Sequence, residues 1–175
     1  MNLTEFICRT EGFGCLVARV IFNKDGASID AGHYKQGAEK FSLHVDCEPL
    51  DWRIDSATRV CSALGKVLSA VEELTFDLDV DGMSSHWENT LDSMLWHEPL
   101  LPFIGVKKLH IGPSLKLELS QALGSVSGEL ALELLPKLQE LDVQLEIVHA
   151  KTRFSFSRLG NQWVSPYICN LLRGN

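Results

Sequence analysis

VEELTFDLDVDGMSSHWE, residues 71–88, admits two incompatible readings. From Asp77 it matches an EF-hand loop: Asp77, Asp79 and Asp81 would supply carboxylate oxygens, Met83 a backbone carbonyl and Glu88 a bidentate carboxylate, with Gly82 at the sharp turn. That loop needs a helix to lead into it, and Leu64, Val67, Leu68, Val71 and Leu74 do fall at helical spacing. Against this, Leu74, Phe76, Leu78 and Val80 alternate with polar residues, the period of a strand with one buried face. Four consecutive alternations decide for the strand. Along a strand, residues i and i+2 lie roughly 6.5–7 Å apart, so Asp77 and Asp79 cannot wrap around one ion. Glu88 then pairs with Ser85 as a capping box. The expectation is a strand, a turn at Asp81 and Gly82, and a helix starting at Ser85. Calcium or another cation on Asp77, Asp79, Asp81 and Glu88 is the alternative; otherwise no cofactor is expected.

The same shape recurs along the chain. VEELTFDL from Val71, VKKLHIG from Val106 and LQELDVQL from Leu138 each read apolar, two polar, leucine, polar, apolar, and AEKFSLHV from Ala38 is a weaker copy. The steps from Phe41 to Leu74 to Leu109 to Leu141 are 33, 35 and 32 residues, a repeat signature. Between the copies the apolar period becomes helical: Ile54, Ala57, Cys61, Leu64, Val67 and Leu68; Trp87, Leu91, Met94 and Leu95; Leu115, Leu119, Ala122 and Leu123. Ser114 after Pro113 marks another helix start, and Pro99 and Pro136 close helical stretches.

Strand, helix, strand with short links predicts an α/β fold with a parallel sheet, built as leucine-rich-repeat-like units over about 38–147. LVARVIFNKDGASID adds a β-hairpin over about 16–30, covering one edge of the sheet. The expectation is one domain over 1–160, followed by an irregular tail over 161–175. Trp52, Trp87 and Trp96 are expected to pack helices on the sheet.

With the four copies in register, the polar positions form rows on the concave strand face: Ser42, Thr75, His110 and Asp142 in one, His44, Asp77, Gly112 and Gln144 in the other. Ser42, His44, Thr75, Asp77, Lys108, His110, Asp142 and Gln144 are therefore the candidate partner-binding residues. His110 between Thr75 and Asp142 also suggests base or metal chemistry. Mixed polar residues on such a face more commonly bind protein, so no catalytic residue and no enzyme activity is expected. No nucleophile elbow, metal-binding H-E-x-x-H or phosphate-binding glycine loop occurs in the sequence.

Composition narrows the partners. Of 175 residues, 45% are hydrophobic and 22% charged, as in an ordinary soluble globular chain. The net charge is −7, from 16 Lys and Arg against 23 Asp and Glu, with no basic block to neutralise phosphates, so neither nucleic acid nor an anionic membrane is an expected partner. No stretch near twenty apolar residues suggests a span or leader. Cys8, Cys15, Cys47, Cys61 and Cys169 are odd in number, widely spaced and free of C-x-x-C pairs, which suits a reducing compartment, cytoplasmic or nuclear.

CEPLDWRIDSATRVCSALGKVLSAVEELTFDLD, residues 47–79, resembles a segment recurrent in fungal F-box-like proteins, in which a Cys, a D-W pair and a V-C-containing helix lead into a strand. VARVIF at 17–22 and LPFIGVKKLHIG at 101–112 are similar to neighbouring stretches of that family, and the resemblance runs over roughly 15–150. It implies a leucine-rich-repeat-like substrate-recognition region of a ubiquitin-ligase adaptor, acting by protein binding. The helical F-box that would dock a Skp adaptor is not recognisable in the sequence.

Overall fold

The computed structural model describes residues 15–33, 40–46, 50–79, 93–115, 134–147, 150–159 and 162–164. Its centre is a mixed sheet of eight strands: β1 (Val17–Asn23), β2 (Gly26–Gly32), β3 (Phe41–Asp46), β4 (Glu73–Leu78), β5 (Lys108–Ile111), β6 (Glu140–Ile147), β7 (Ala150–Leu159) and β8 (Gln162–Val164). Their spatial order is β3-β2-β1-β4-β5-β6-β7-β8. The four central strands, β1, β4, β5 and β6, run parallel, and the pairs outside them are antiparallel.

VEELTFDL does form a strand, with Leu74, Phe76 and Leu78 buried and the residues between them on the other face. The leucine register also holds across three strands, with Leu74 opposite Leu109 and Leu109 opposite Leu141. The fourth place in that register belongs to Ala18 of β1, not Phe41. Phe41 lies opposite Ala31 on the antiparallel β2–β3 pair, at the far edge of the sheet. The weak copy from Ala38 is therefore not a fourth parallel unit.

The reason lies in the hairpin. Asn23 Oδ1 accepts the N–H groups of Asp25 at 3.0 Å and Gly26 at 2.9 Å, so a two-residue turn returns the chain as β2. β3 then pairs with β2, and Gly26 permits it: a Cβ there would stand 2.0 Å from the Val45 carbonyl oxygen. The hairpin spans 17–32 and is built into the sheet rather than laid over an edge, because β1 offers its second side to β4.

From β3 the chain crosses to β4 through α1 (Leu50–Ala63) and the short α2 (Gly65–Leu68). Ile54, Ala57, Cys61, Leu64, Val67 and Leu68 are the buried stripe that the helical period predicts, and they join the apolar faces of β1, β2, β4 and β5 in one core. Phe22, Phe76 and Trp96 form an aromatic knot there, with ring centroids 5.4–6.1 Å apart. Trp52 departs from expectation: it is 65% exposed on α1, away from the sheet.

Arg53 is buried beside it, and its guanidinium donates to the carbonyls of Asn23 and Lys24, fastening α1 to the hairpin tip. Of the later helical stretches, the described residues contain 3-10 turns at Ser93–Trp96, Glu98–Leu100 and Pro113–Leu115, and Leu134, two places before Pro136, is α-helical. Pro99 therefore sits inside a turn instead of closing a helix. Ser85, Trp87, Glu88, Leu91, Leu119, Ala122 and Leu123 lie outside the described residues. Within the expected tail, Gln162–Val164 form β8, paired antiparallel with β7.

Candidate functional site

The polar face of the central strands carries the site. Cross-strand pairing aligns Arg19, Thr75, His110 and Asp142 in one continuous row, confirming the last three as neighbours. The row continues through Asp30 to Ser42 in one direction and to Ser155 in the other. Ser42 and His44 thus share the face but stand three strands from Thr75 and Asp77, roughly 14 Å away at ordinary strand spacing. The exposed His44 contacts Asp46 on its own strand, Nε2 to Oδ1 at 3.0 Å.

Between Asp77 and Gln144 the second row is interrupted by Gly112, the residue after β5. Here a pocket of about 390 Å³ opens, lined by Thr75, Asp77, His110, Gly112, Asp142 and Gln144 among others. Every lining residue belongs to one of the four parallel strands or directly follows β5, so the walls are rigid backbone and not loop. Gly112 is what lets the Asp77 carboxylate lie against the end of β5: a Cβ there would stand 1.7 Å from Asp77 Oδ1. Asp77 leans over it, with Oδ1 accepting the Leu78 N–H at 2.9 Å and Oδ2 3.8 Å from Arg19.

His110 is held by acids on both sides. Its Nε2 lies 2.9 Å from Glu73 Oε1, and its Nδ1 lies 3.1 Å from Asp142 Oδ2. The second contact is close but off the hydrogen-bond direction, so buried Nδ1 has no aligned partner. Lys108 binds Glu140 at 3.2 Å and reaches Asp142 only at 3.8 Å. Hydrogen bonding to Glu140 lifts its ammonium above the ordinary lysine range, with the Asp142 and Glu73 charges assisting.

This geometry bears on each reading of the sequence. A hydrolytic use of His110 needs one ring nitrogen free to face a nucleophile, with a carboxylate orienting the other. Here both nitrogens face carboxylates. As for a cation site, β4 occupies the place of an incoming EF-hand helix, Asp77 is engaged over Gly112, and Asp79 is exposed beyond the strand. Asp81 and Glu88 lie outside the described residues, among which no group of three or more metal-ligating side chains gathers.

Arg19 and Glu73 also line the pocket, though the sequence did not single them out. Glu73 was legible, since it stands two places before Thr75 on an alternating strand. Arg19 was hidden by the assignment of its hairpin to an edge. Comparisons with protein families, with curated proteins and with solved structures found no match to this chain.

Proposed function

We propose that this chain is a non-enzymatic protein-interaction module that binds its partner on the polar face of the sheet. Its strand–helix units are, in this reading, leucine-rich-repeat-like, with α1 and α2 the most complete connecting helices among the described residues. The observation that carries the reading is the pocket at Gly112, whose polar lining comes entirely from rigid parallel strands. Such a surface is shaped before a partner arrives, which lowers the ordering cost of binding. Flanking of His110 by a carboxylate at each ring nitrogen, with Nε2 bonded to Glu73, favours recognition over catalysis.

The resemblance of residues 47–79 to fungal F-box-like proteins extends the proposal to the substrate-recognition part of a ubiquitin-ligase adaptor, working in the cytoplasm or nucleus. Buried, free Cys15 and Cys61 suit a reducing compartment. Among the described residues no helix is long and apolar enough to cross a membrane.

The test is quantitative capture from a fungal lysate with three baits: wild type, Thr75→Arg on the polar face, and Arg59→Glu on the exposed side of α1. The reading expects a set of proteins retained by wild type and Arg59→Glu and lost with Thr75→Arg. Equal retention by all three baits would remove it.

A further inference from the structure

The strand-borne pocket is uneven in its charges. Three carboxylates, Glu73, Asp77 and Asp142, face two permanent cations, Arg19 and Lys108, and these groups are not equally satisfied. Glu73 has His110 at 2.9 Å and Lys108 has Glu140 at 3.2 Å. Asp77 and Asp142 each meet a permanent cation only at 3.8 Å, beyond hydrogen-bond length. Asp142 is also the most enclosed charged group in the pocket, its side chain 7% exposed, and among the described residues its nearer contact, His110 Nδ1, is out of line. A carboxylate this buried gains most from an aligned, charge-assisted donor.

We propose that the pocket between Asp77 and Asp142 receives the cationic side chain, guanidinium or ammonium, of a basic segment of the partner protein; this rests on the protein-interaction reading above. The entering cation donates to Asp77 Oδ2 and to Asp142 from the pocket that both residues line, and Gln144 lines the same pocket. Arg19 is the chain's own competitor. Its side chain is 53% exposed and its guanidinium stands 3.8 Å from Asp77, so the partner's cation displaces it without a buried contact being broken. The overall charge of −7 steers a basic segment toward the molecule.

The probes are three short synthetic peptides on one Gly-Ser frame, carrying a central arginine, its neutral isostere citrulline, or glutamate. Each is titrated into the labelled full chain while the amide shifts of Gly112, Thr75 and His110 are followed by NMR. The arginine peptide should shift these amides saturably, and citrulline and glutamate should not. Asp77→Asn, which keeps the Leu78 N–H acceptor, should weaken arginine binding about tenfold, the scale of one charge-assisted contact. Arg19→Ala should tighten it, because a competitor is gone.

Weaker binding in Arg19→Ala, or preference for the glutamate peptide, would show an anion pocket and overturn the assignment while leaving the protein-binding face intact. Absence of any saturable shift at Gly112, with lysate capture still dependent on Thr75, would also remove the cation pocket alone. Absence of both removes the two readings together.

Discussion

Gly112→Ala is the sharpest probe of how the pocket is made, because its effect should pass through a single side chain. The backbone at Gly112 is not in the left-handed region, so alanine is admissible there on conformational grounds, and restricting the unfolded chain alone would stabilise by about 0.4–1 kcal/mol. The methyl group, however, would stand 1.7 Å from Asp77 Oδ1 and 2.6 Å from its Cγ. The carboxylate must swing away, losing its bond from the Leu78 N–H, worth about 1 kcal/mol, and overpacking of this kind costs about 1–3 kcal/mol. The net expectation is a destabilisation of about 1–3.5 kcal/mol, or roughly 3–10 °C in Tm for a chain of this size.

In an Asp77→Ala background the offending atoms are gone. What remains is a 3.2 Å approach to the Asp77 Cα, which a small shift relieves. Gly112→Ala should there cost little, so a urea-denaturation cycle over the four proteins should give a coupling energy of at least about 1 kcal/mol. Equal cost in both backgrounds would refute the claim that Gly112 exists to seat Asp77.

Arg53→Ala should destabilise by about 1–3 kcal/mol in urea, since it strips two carbonyls at the hairpin tip of a charged donor; a change under 0.5 kcal/mol would show the tether to be idle. Burial pushes the Cys61 thiol up to about 12, so alkylation at pH 8 followed by peptide mass spectrometry should find Cys61 unmodified in the native chain and labelled once urea unfolds it. Lys108 has a raised folded pKa, so its contribution is complete below the unfolded value of about 10.4 and fades as pH climbs through the folded one; the stability gap to Lys108→Gln should stay level from pH 7 to 9 and shrink by pH 11.5. Millimolar calcium should leave the Tm of wild type and of Asp79→Ala unchanged, and a rise in wild type lost in the variant would restore the cation reading.

What was legible in the sequence was the part governed by local period. Alternation identified β4, β5 and β6, and spacing aligned Leu74, Leu109 and Leu141 correctly, because parallel strands with equivalent links settle into equivalent registers. Thr75, His110 and Asp142 came together for the same reason. Strand order was not legible. Phe41, Leu43 and Val45 alternate as the true repeats do, and nothing in that pattern says that β2 is the partner. That choice is made by the tight Asn23–Gly26 turn, which leaves β2 within reach of β3 before β4 exists as a competitor. β7 carried an alternating signal in Phe154 and Phe156 that the repeat model had no place for. Trp52 failed because residue type predicts burial only as a tendency, and on α1 it lies off the stripe set by Ile54, Ala57 and Cys61.

The position of β1 has a consequence for how the chain is made. Its pairing with β2 needs only the two-residue turn and can close within microseconds. Its pairing with β4 joins Val17 to Glu73 and must wait until the ribosome has released the whole crossover between them. During that interval the β1 edge destined for β4 has no partner, and it belongs to VARVIFN, a strand rich in β-branched residues. Synthesis at about 5–20 residues per second keeps it bare for seconds. Slowing translation between residues 32 and 78 should therefore raise aggregation of the nascent chain, whereas slowing it once β4 has left the ribosome should not.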